Sequence, residues 1–378
     1  MELTTKKKHL VILTDSFLPR WDGIARMLNE IIPRLSSEYQ ITVLAPDFGS
    51  IQYEGVTIHK IALSKITLGD YQFPKCSLAL GRIIKDADLV FSHTFGPIGA
   101  TGILFAKHYQ KPILHYMHVI DWELSSKSIG KYQSIIRTIT KYYARYLYNK
   151  CSVIIVPYPE ALEILKKNKV LKPHKAVVHL GVSTAKFCPV SEEQKQAIRK
   201  TLGIPQHALV IGYVGRIARE KGISLLLEAF TKLQKTHDHL HLVLVGKGVP
   251  SLIKSLTGMR SVSHFIPTGD IVQFLQALDI FVLPSYTETT SLVTLEAMAC
   301  EKIVIAANVG YVKDYLEEKD NGLLFPRGNA AALEIKLRAV VENPKKYAPL
   351  GQRARQTVQQ RFNWEETVAQ LKALFKQY

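Results

Sequence analysis

The residues best suited to chemistry lie in "PSYTETTSLVTLEAMAC", positions 284–300. Two carboxylates, Glu288 and Glu296, stand eight residues apart around Thr289, Thr290, Ser291 and Leu292. The apolar run "DIFVLPS" just before them reads as a buried strand, and a helical pattern opens near Ser291. Glu288 then falls in the loop and Glu296 in the second turn of the helix. The amides of Thr289, Thr290, Ser291 and Leu292 would face out of a helix N-terminus, where unpaired N–H groups favour an anion. The plainer alternative is a solvated loop glutamate followed by an ordinary helix glutamate.

A second group, "YVGRIAREKG" at 213–222, ends a strand in Gly215 and projects Arg216 and Lys221 from a glycine-bounded loop. Two fixed cations there suit a diphosphate leaving group, whose negative charge grows as its bond breaks. A basic strand-end loop on a basic protein is the alternative. "LVGKG", with Gly246 and Gly248, is another strand-to-loop turn where backbone can approach a ligand. The Glu288–Glu296 spacing would be about 12 Å at helical rise and less across a turn. That is the scale separating a hexose hydroxyl from a ribose hydroxyl in a folded nucleotide sugar.

In the first half, "DSFLPRWDGIARML" places Asp15, Pro19, Asp22 and Gly23 at a strand-to-helix turn. "LHYMHVIDWE" ends a strand at His118, followed by Asp121 and Trp122; His93 follows another in "FSHTFG". By itself, a histidine after a strand is more often structural than functional.

These turns need rigid elements behind them. Short apolar runs ("HLVILTD", "YQITVLAPD", "ADLVFSH", "PILHYMH", "CSVIIVPY", "KAVVHLGV") alternate with amphipathic helical patterns. A second series follows: "LVIGYVG", "LHLVLVG", "VSHFIP", "DIFVLPS", "KIVIAAN". Such alternation implies βαβ units and parallel sheets. The expected class is α/β, with two Rossmann-like doubly wound domains facing a cleft, because 378 residues exceed one ordinary core. The expected segments are 1–182 and 183–360, then a closing helix, 361–378, that crosses back to the first domain. In such sheets ligands bind beyond the carboxyl ends of the strands.

Composition excludes other classes. At 47% hydrophobic and 21% charged residues the chain is globular, and no apolar run reaches the ~18–20 residues a spanning helix needs. Cys76, Cys151, Cys188 and Cys300 lie far apart with no CxxC pair, against a disulfide framework or zinc site. The net charge of +17 is uneven: residues 101–190 hold 14 Lys/Arg against 4 Asp/Glu, and no acid lies between Glu123 and Glu160. A single-sign field of this kind points to an anionic partner, nucleic acid or membrane.

Taken in order, the motifs resemble those of nucleotide-sugar glycosyltransferases with two Rossmann domains (the GT-B fold), specifically the large retaining family four. The resemblance runs through Gly23; Gly215-Arg216 with Lys221-Gly222; Gly246 with Gly248; Glu288 with Glu296; Asn321-Gly322-Leu323; and the terminal "FNWEE". It implies that Arg216 and Lys221 bind the diphosphate, Glu296 the ribose, and that Glu288 orients the transferred sugar. The base would lie near Phe265 to Thr268, and His118 over the sugar ring. It also implies front-face displacement with no carboxylate nucleophile, so the paired-carboxylate logic of glycosidases is not imposed on Glu288 and Glu296. No cofactor or metal is expected beyond the nucleotide sugar. Asp86-Ala87-Asp88 matches a metal-binding D-x-D of another glycosyltransferase fold, but it precedes a strand in the wrong domain and reads as chance. The sequence departs from the family at Thr289, where glycine is usual, and at Ala299-Cys300-Glu301-Lys302-Ile303.

Residues 127–150 concern the acceptor. Arg137, Lys141 and Arg145 share one helical face, amid Ile135, Ile136, Ile139 and five tyrosines. A basic, tyrosine-rich amphipathic helix suits an anionic membrane surface. Alternatively its apolar side packs in the first domain and its basic side is solvated. With the T-E-T segment, which glycolipid-forming members share, this favours a lipid or lipid-linked acceptor, with Asp22 and Asp121 near it. The expected location is cytoplasmic, peripheral to the inner face of the cell membrane. A soluble sugar or polysaccharide acceptor, or an epimerase of the same fold, are the competing readings. Nucleic acid is not expected as a partner, because no binding module accompanies the charge.

Overall fold

The computed structural model describes residues 7–20, 22–68, 71–75, 78–120, 122, 133–254, 256, 258–267 and 269–378. The chain divides into two compact units: residues up to Leu180 together with Trp364–Tyr378, and Gly181–Asn363.

The first unit runs β1 (Lys8–Leu13), α1 (Gly23–Leu35), β2 (Tyr39–Pro46), β3 (Val56–Ile61), β4 (Leu63–Leu68), β5 (Tyr71–Pro74), α2 (Leu80–Lys85), β6 (Leu89–Ser92), α3 (Pro97–His108), β7 (Ile113–Tyr116), α4 (Gln133–Tyr148), β8 (Val153–Val156), α5 (Glu160–Lys167) and β9 (His174–Val177). Seven strands pair in the order β3-β2-β1-β6-β7-β8-β9, all in parallel, with β4 and β5 forming a separate antiparallel hairpin. The inner strands β6, β7 and β8 are buried at every position. This is why they read as continuous apolar runs rather than alternating ones. Helix α1 buries Ala25, Met27, Leu28, Ile31, Ile32 and Leu35, a 3–4 residue spacing that forms a stripe against the sheet.

The second unit runs α6 (Glu192–Leu202), β10 (Leu209–Val214), α7 (Ile223–Gln234), β11 (Leu240–Val245), α8 (Pro250–Lys254), β12 (Val262–Phe265), α9 (Val272–Ala277), β13 (Ile280–Leu283), α10 (Leu292–Ala299), β14 (Ile303–Ala307), α11 (Val312–Tyr315), β15 (Leu323–Phe325), α12 (Ala330–Glu342) and α13 (Pro344–Arg361). Its six strands pair in parallel in the order β12-β11-β10-β13-β14-β15. The register of β10 against β13 is pinned at their base. Buried Arg199 donates to Asp279 Oδ2 at 2.7 Å, and the same oxygen accepts from Val210 N at 2.8 Å. The last helix, α14 (Trp364–Phe375), belongs to the first unit. There Phe375 is fully buried, with its ring 5.7 Å from that of Tyr39 and 5.1 Å from that of Phe91.

Both sheets are doubly wound. Strand order reverses between β1 and β6 in one and between β10 and β13 in the other. The loops beyond the carboxyl ends of these strands are where an open parallel sheet binds a ligand. Among the described residues, no helix is long and apolar enough to cross a membrane.

Candidate active site

In the second unit, the loops after β10 and β13 carry Arg216, Lys221 and Glu288, and they meet at the switch point. Lys221 Nζ donates to Glu288 Oε1 at 2.7 Å, and Ser285 Oγ donates to the same oxygen at 2.7 Å. The loops are also joined through backbone, with Tyr286 N donating to Glu220 O at 2.9 Å. Gly222, at φ +66°, lies so close to β13 that a Cβ would overlap the Pro284 carbonyl. Gly246, at φ +148°, presses likewise on the carbonyl of Gly215. Only glycine serves at these two positions, which explains the spacing seen in the sequence. Arg216 is 53% exposed along its side chain and pairs with Glu220 one helical turn on. Each cation therefore already faces a carboxylate, and the quartet Arg216, Glu220, Lys221 and Glu288 is neutral as it stands.

The stretch Glu288–Ser291 is anchored from behind. Thr289 O accepts from Tyr311 N at 2.9 Å, and Thr290 O accepts from the Tyr315 hydroxyl at 2.6 Å. In a trans peptide the carbonyl and the next amide point in opposite directions. The amides of Thr290 and Ser291 are therefore turned away from Tyr311 and Tyr315. Asn321 completes the support, donating to Tyr315 O at 2.9 Å and accepting from Glu317 N at 2.6 Å. The Asn321-Gly322-Leu323 motif thus acts through the segment that holds the loop. Ser291 adopts left-handed geometry (φ 58°) at the N-cap of α10, and its hydroxyl lies 2.8 Å from Thr294 Oγ1. Thr290 is buried, and its hydroxyl has no hydrogen-bond partner among the described residues. Glu296, in the second turn of α10, is 3% exposed. After α10, Glu301 takes a left-handed conformation at φ 58°. Lys302 N donates to Ala297 O and Glu301 N to Met298 O, both at 3.0 Å, a Schellman closure in which glycine is usual. The departure from the family pattern there is a helix ending. Phe265 packs its ring 5.3 Å from that of Phe274; Thr268 lies outside the described residues.

In the first unit, Asp15 and Asp22 hold helix starts. Asp22 caps α1, accepting from Ile24 N and Ala25 N at 3.0 Å, while Ser16 Oγ and Arg20 engage its other oxygen. The first amides of α1, beside Gly23, are thus already satisfied by the chain's own carboxylate. Asp15 caps α3 from across the sheet, accepting from Ile98 N at 2.8 Å and Gly99 N at 3.0 Å. Burial nevertheless holds its carboxyl above the usual range. His118 Nε2 lies 2.9 Å from His93 Nδ1, and His115 Nδ1 lies 3.2 Å from Ser92 Oγ. Burial pushes His115 and His118 down to about 3 and His93 well below the ordinary value, so all three are neutral at pH 7. Asp121 lies outside the described residues. Asp88 accepts from His9 N at 2.8 Å and Asp86 ends α2, so the D-x-D pair ties the edge of β1 to α2.

Helix α4 carries Arg137, Lys141 and Arg145. Its inner side is Ala144, Leu147 and Tyr148. Ile135, Ile139, Tyr142, Tyr143 and Tyr146 are exposed, with Ile139 at 62% and Tyr142 at 63%. At spacings of 4, 3, 1 and 3 these five form one stripe. One apolar side of the helix thus packs inside the domain, and this second stripe does not. Arg145 lies 5.7 Å from the Tyr142 ring centroid and Lys150 4.3 Å from that of Tyr146.

Family models cover both units. Residues 21–186 match "Glycosyltransferase Family 4" and residues 194–357 match "Glycosyl transferases group 1". The chain is a family-four glycosyltransferase. The enzyme is 24% identical over 347 residues to the D-inositol 3-phosphate glycosyltransferase of Corynebacterium aurimucosum, covering 85% of this chain and 78% of that protein. It is 25% identical over 348 residues to the alpha-monoglucosyldiacylglycerol synthase of Streptococcus pneumoniae, covering 88% and 78%. Its fold matches Anabaena HepE, crystallised in complex with UDP and glucose. That match has a TM-score of 0.80 at 19% identity and covers 98% of this chain and 100% of HepE.

Several residues of this candidate site escape sequence reasoning. Glu220 is signalled by its four-residue spacing from Arg216. Ser285 lies only three residues from its partner Glu288 in the same loop, whereas Tyr311 and Tyr315 carry no signal, because their partners Thr289 and Thr290 follow another strand.

Proposed function

We propose that the glycosyltransferase is a retaining hexosyltransferase using a UDP- or GDP-linked sugar. It delivers the hexose to a hydroxyl of a lipid or lipid-linked acceptor at an anionic membrane surface. The observation that carries the donor reading is the Lys221–Glu288 contact at the β10/β13 switch point, followed in the chain by the amides of Thr290 and Ser291, which turn away from Tyr311 and Tyr315. An arriving diphosphate draws on Lys221, Arg216 and these amides. Glu288 then turns to the sugar hydroxyls and Glu296 to the ribose. The leaving diphosphate gains stabilisation as its charge develops, and its oxygen accepts the proton of the incoming hydroxyl. Glu288, held by Lys221 and Ser285, orients rather than attacks, and transfer proceeds without metal.

The exposed isoleucine–tyrosine stripe of α4 supports the lipid acceptor. Apolar and aromatic side chains enter the headgroup boundary while Arg137, Lys141 and Arg145 meet anionic lipid. Each cation near such a surface contributes about 1 kcal/mol, sufficient in sum for reversible attachment. The enzyme would then work at the cytoplasmic face as a peripheral protein. The relative named for D-inositol 3-phosphate favours a second reading, a soluble acceptor. Cosedimentation with anionic and neutral vesicles separates the two. Wild type should pellet with anionic vesicles at low salt, and a protein with Arg137, Lys141 and Arg145 all changed to Glu should not. Equal pelleting of both, or none of wild type, leaves the soluble acceptor.

A further inference from the structure

Three histidines gather where β6 and β7 end, His115 within β7 and His93 and His118 just beyond the two strands, and His93 has no assigned role. His93 is 2% exposed, with its ring 4.2 Å from that of Phe91 and 6.3 Å from that of Tyr116. Its Nδ1 meets His118 Nε2 at 2.9 Å, while its own Nε2 is buried with no hydrogen-bond partner among the described residues. Both rings are neutral, since burial lowers both pKa values far below 7. A neutral imidazole carries one proton, so the two facing nitrogens share a single N–H between them.

Two arrangements satisfy that contact. In one, His118 Nε2–H donates to His93, which forces the proton of His93 onto Nε2, a buried N–H without an acceptor. In the other, His93 Nδ1–H donates to His118 Nε2, and the buried Nε2 of His93 is a bare lone pair. Orphaned buried N–H groups are the rarer and costlier defect. The second arrangement therefore prevails, and it leaves the proton of His118 on Nδ1.

The geometry points to His93 as a positioning residue that fixes His118 as the Nδ1–H tautomer, so that His118 meets its ligand as a hydrogen-bond donor and not as a base. The ligand class is a sugar hydroxyl or phosphate oxygen, an assignment that rests on the proposed function. A donor suits front-face transfer, in which the leaving phosphate oxygen already takes the proton and a protein base has no task. The partner that fixes one ring nitrogen decides the chemistry of the other.

The test is the tautomer itself. Full-length enzyme labelled with 15N in its histidine rings would be examined by long-range 1H–15N correlation, with the His118 signals assigned through His118→Asn. Wild-type His118 should read as the Nδ1–H form. His93→Asn, whose amide can donate from nearly the same point, should keep that form and most of the turnover. His93→Leu, of similar size but without a donor, should release His118 into mixed tautomers and lower kcat about tenfold with KM little changed. Wild-type His118 found as the Nε2–H form overturns the inference without any variant, as does a His118 tautomer unmoved in a folded His93→Leu. If the tautomer shifts in His93→Leu and turnover does not, the positioning by His93 stands and the placement of His118 at the sugar falls.

Discussion

Glu288→Gln should make the enzyme bind nucleoside diphosphates more tightly while it transfers sugar more slowly. Glutamine keeps the volume and can still accept from Ser285 and Lys221. It removes the negative charge that now lies 2.7 Å from Lys221 Nζ. A diphosphate resting on Lys221 would bring its oxygens to about 6 Å from the Glu288 carboxylate. Between the dielectric of water and an effective value of about 20, two unit charges at that spacing repel by roughly 0.7–2.8 kcal/mol. Removing the repulsion corresponds to a gain of about 3- to 100-fold in affinity. Glu288 has its side chain 11% exposed, which places the expectation between those limits, near tenfold. Turnover should fall by about 10²-fold, because the hexose loses the carboxylate that orients it. Isothermal titration with UDP and with GDP, at low and high salt, reads the first effect. Release of nucleoside diphosphate from the sugar donor, in the presence of lipid vesicles, reads the second. The gain in affinity should shrink as salt rises. A variant that folds normally and binds both nucleotides more weakly than wild type refutes the reasoning. Glu288 would then support the phosphate site by holding Lys221 in place.

Three further outcomes follow from the geometry. Glu296→Ala should weaken nucleotide binding by about 10- to 100-fold, and unchanged affinity for UDP and GDP would remove Glu296 from the site. The three neutral histidines should make stability depend on pH. In the folded state they stay unprotonated, while in the unfolded chain each gains a proton near pH 6.5. Their contribution is therefore complete above that pH and is lost below it, by about 4 kcal/mol between pH 7.5 and 5.5. His115→Phe should cut that slope by about a third in denaturant titrations, and a flat profile for wild type would contradict the burial argument. Phe375→Ala should cost about 3–5 kcal/mol and lower the unfolding midpoint of the first unit, though it lies at the far end of the chain.

The doubly wound sheets were legible because their central strands are buried on both faces. Runs such as Val153–Val156 leave nothing polar to confuse the pattern. The β4–β5 hairpin was not legible. Its half-exposed "LSKITL" and "YQFP" have no apolar run, and it stands apart from the sheets. The positions of Arg216, Lys221 and Glu288 at strand ends were readable from the runs before them. The Lys221–Glu288 contact was not, because it joins residues 67 apart through a strand order that local patterns do not state. The same holds for His93 and His118, which follow strands that neighbour only in the folded sheet. Asp15 has chemistry suited to a ligand site and instead caps α3, and no spacing distinguishes those uses. In α4, isoleucines and tyrosines occur right round the helix, so only packing could tell its outer side.

The return of Trp364–Phe375 to the first unit has a consequence for the order in which the enzyme is made. When Leu180 leaves the ribosome, the core around Tyr39 and Phe91 still lacks the Phe375 ring that packs against both. The whole of Gly181–Asn363 must be translated before that ring arrives. At about 5–20 residues per second that interval is roughly 10–40 s, ample time for the second unit to fold first. The half bearing the exposed α4 stripe is therefore the last to become stable, although it is the first to be synthesised.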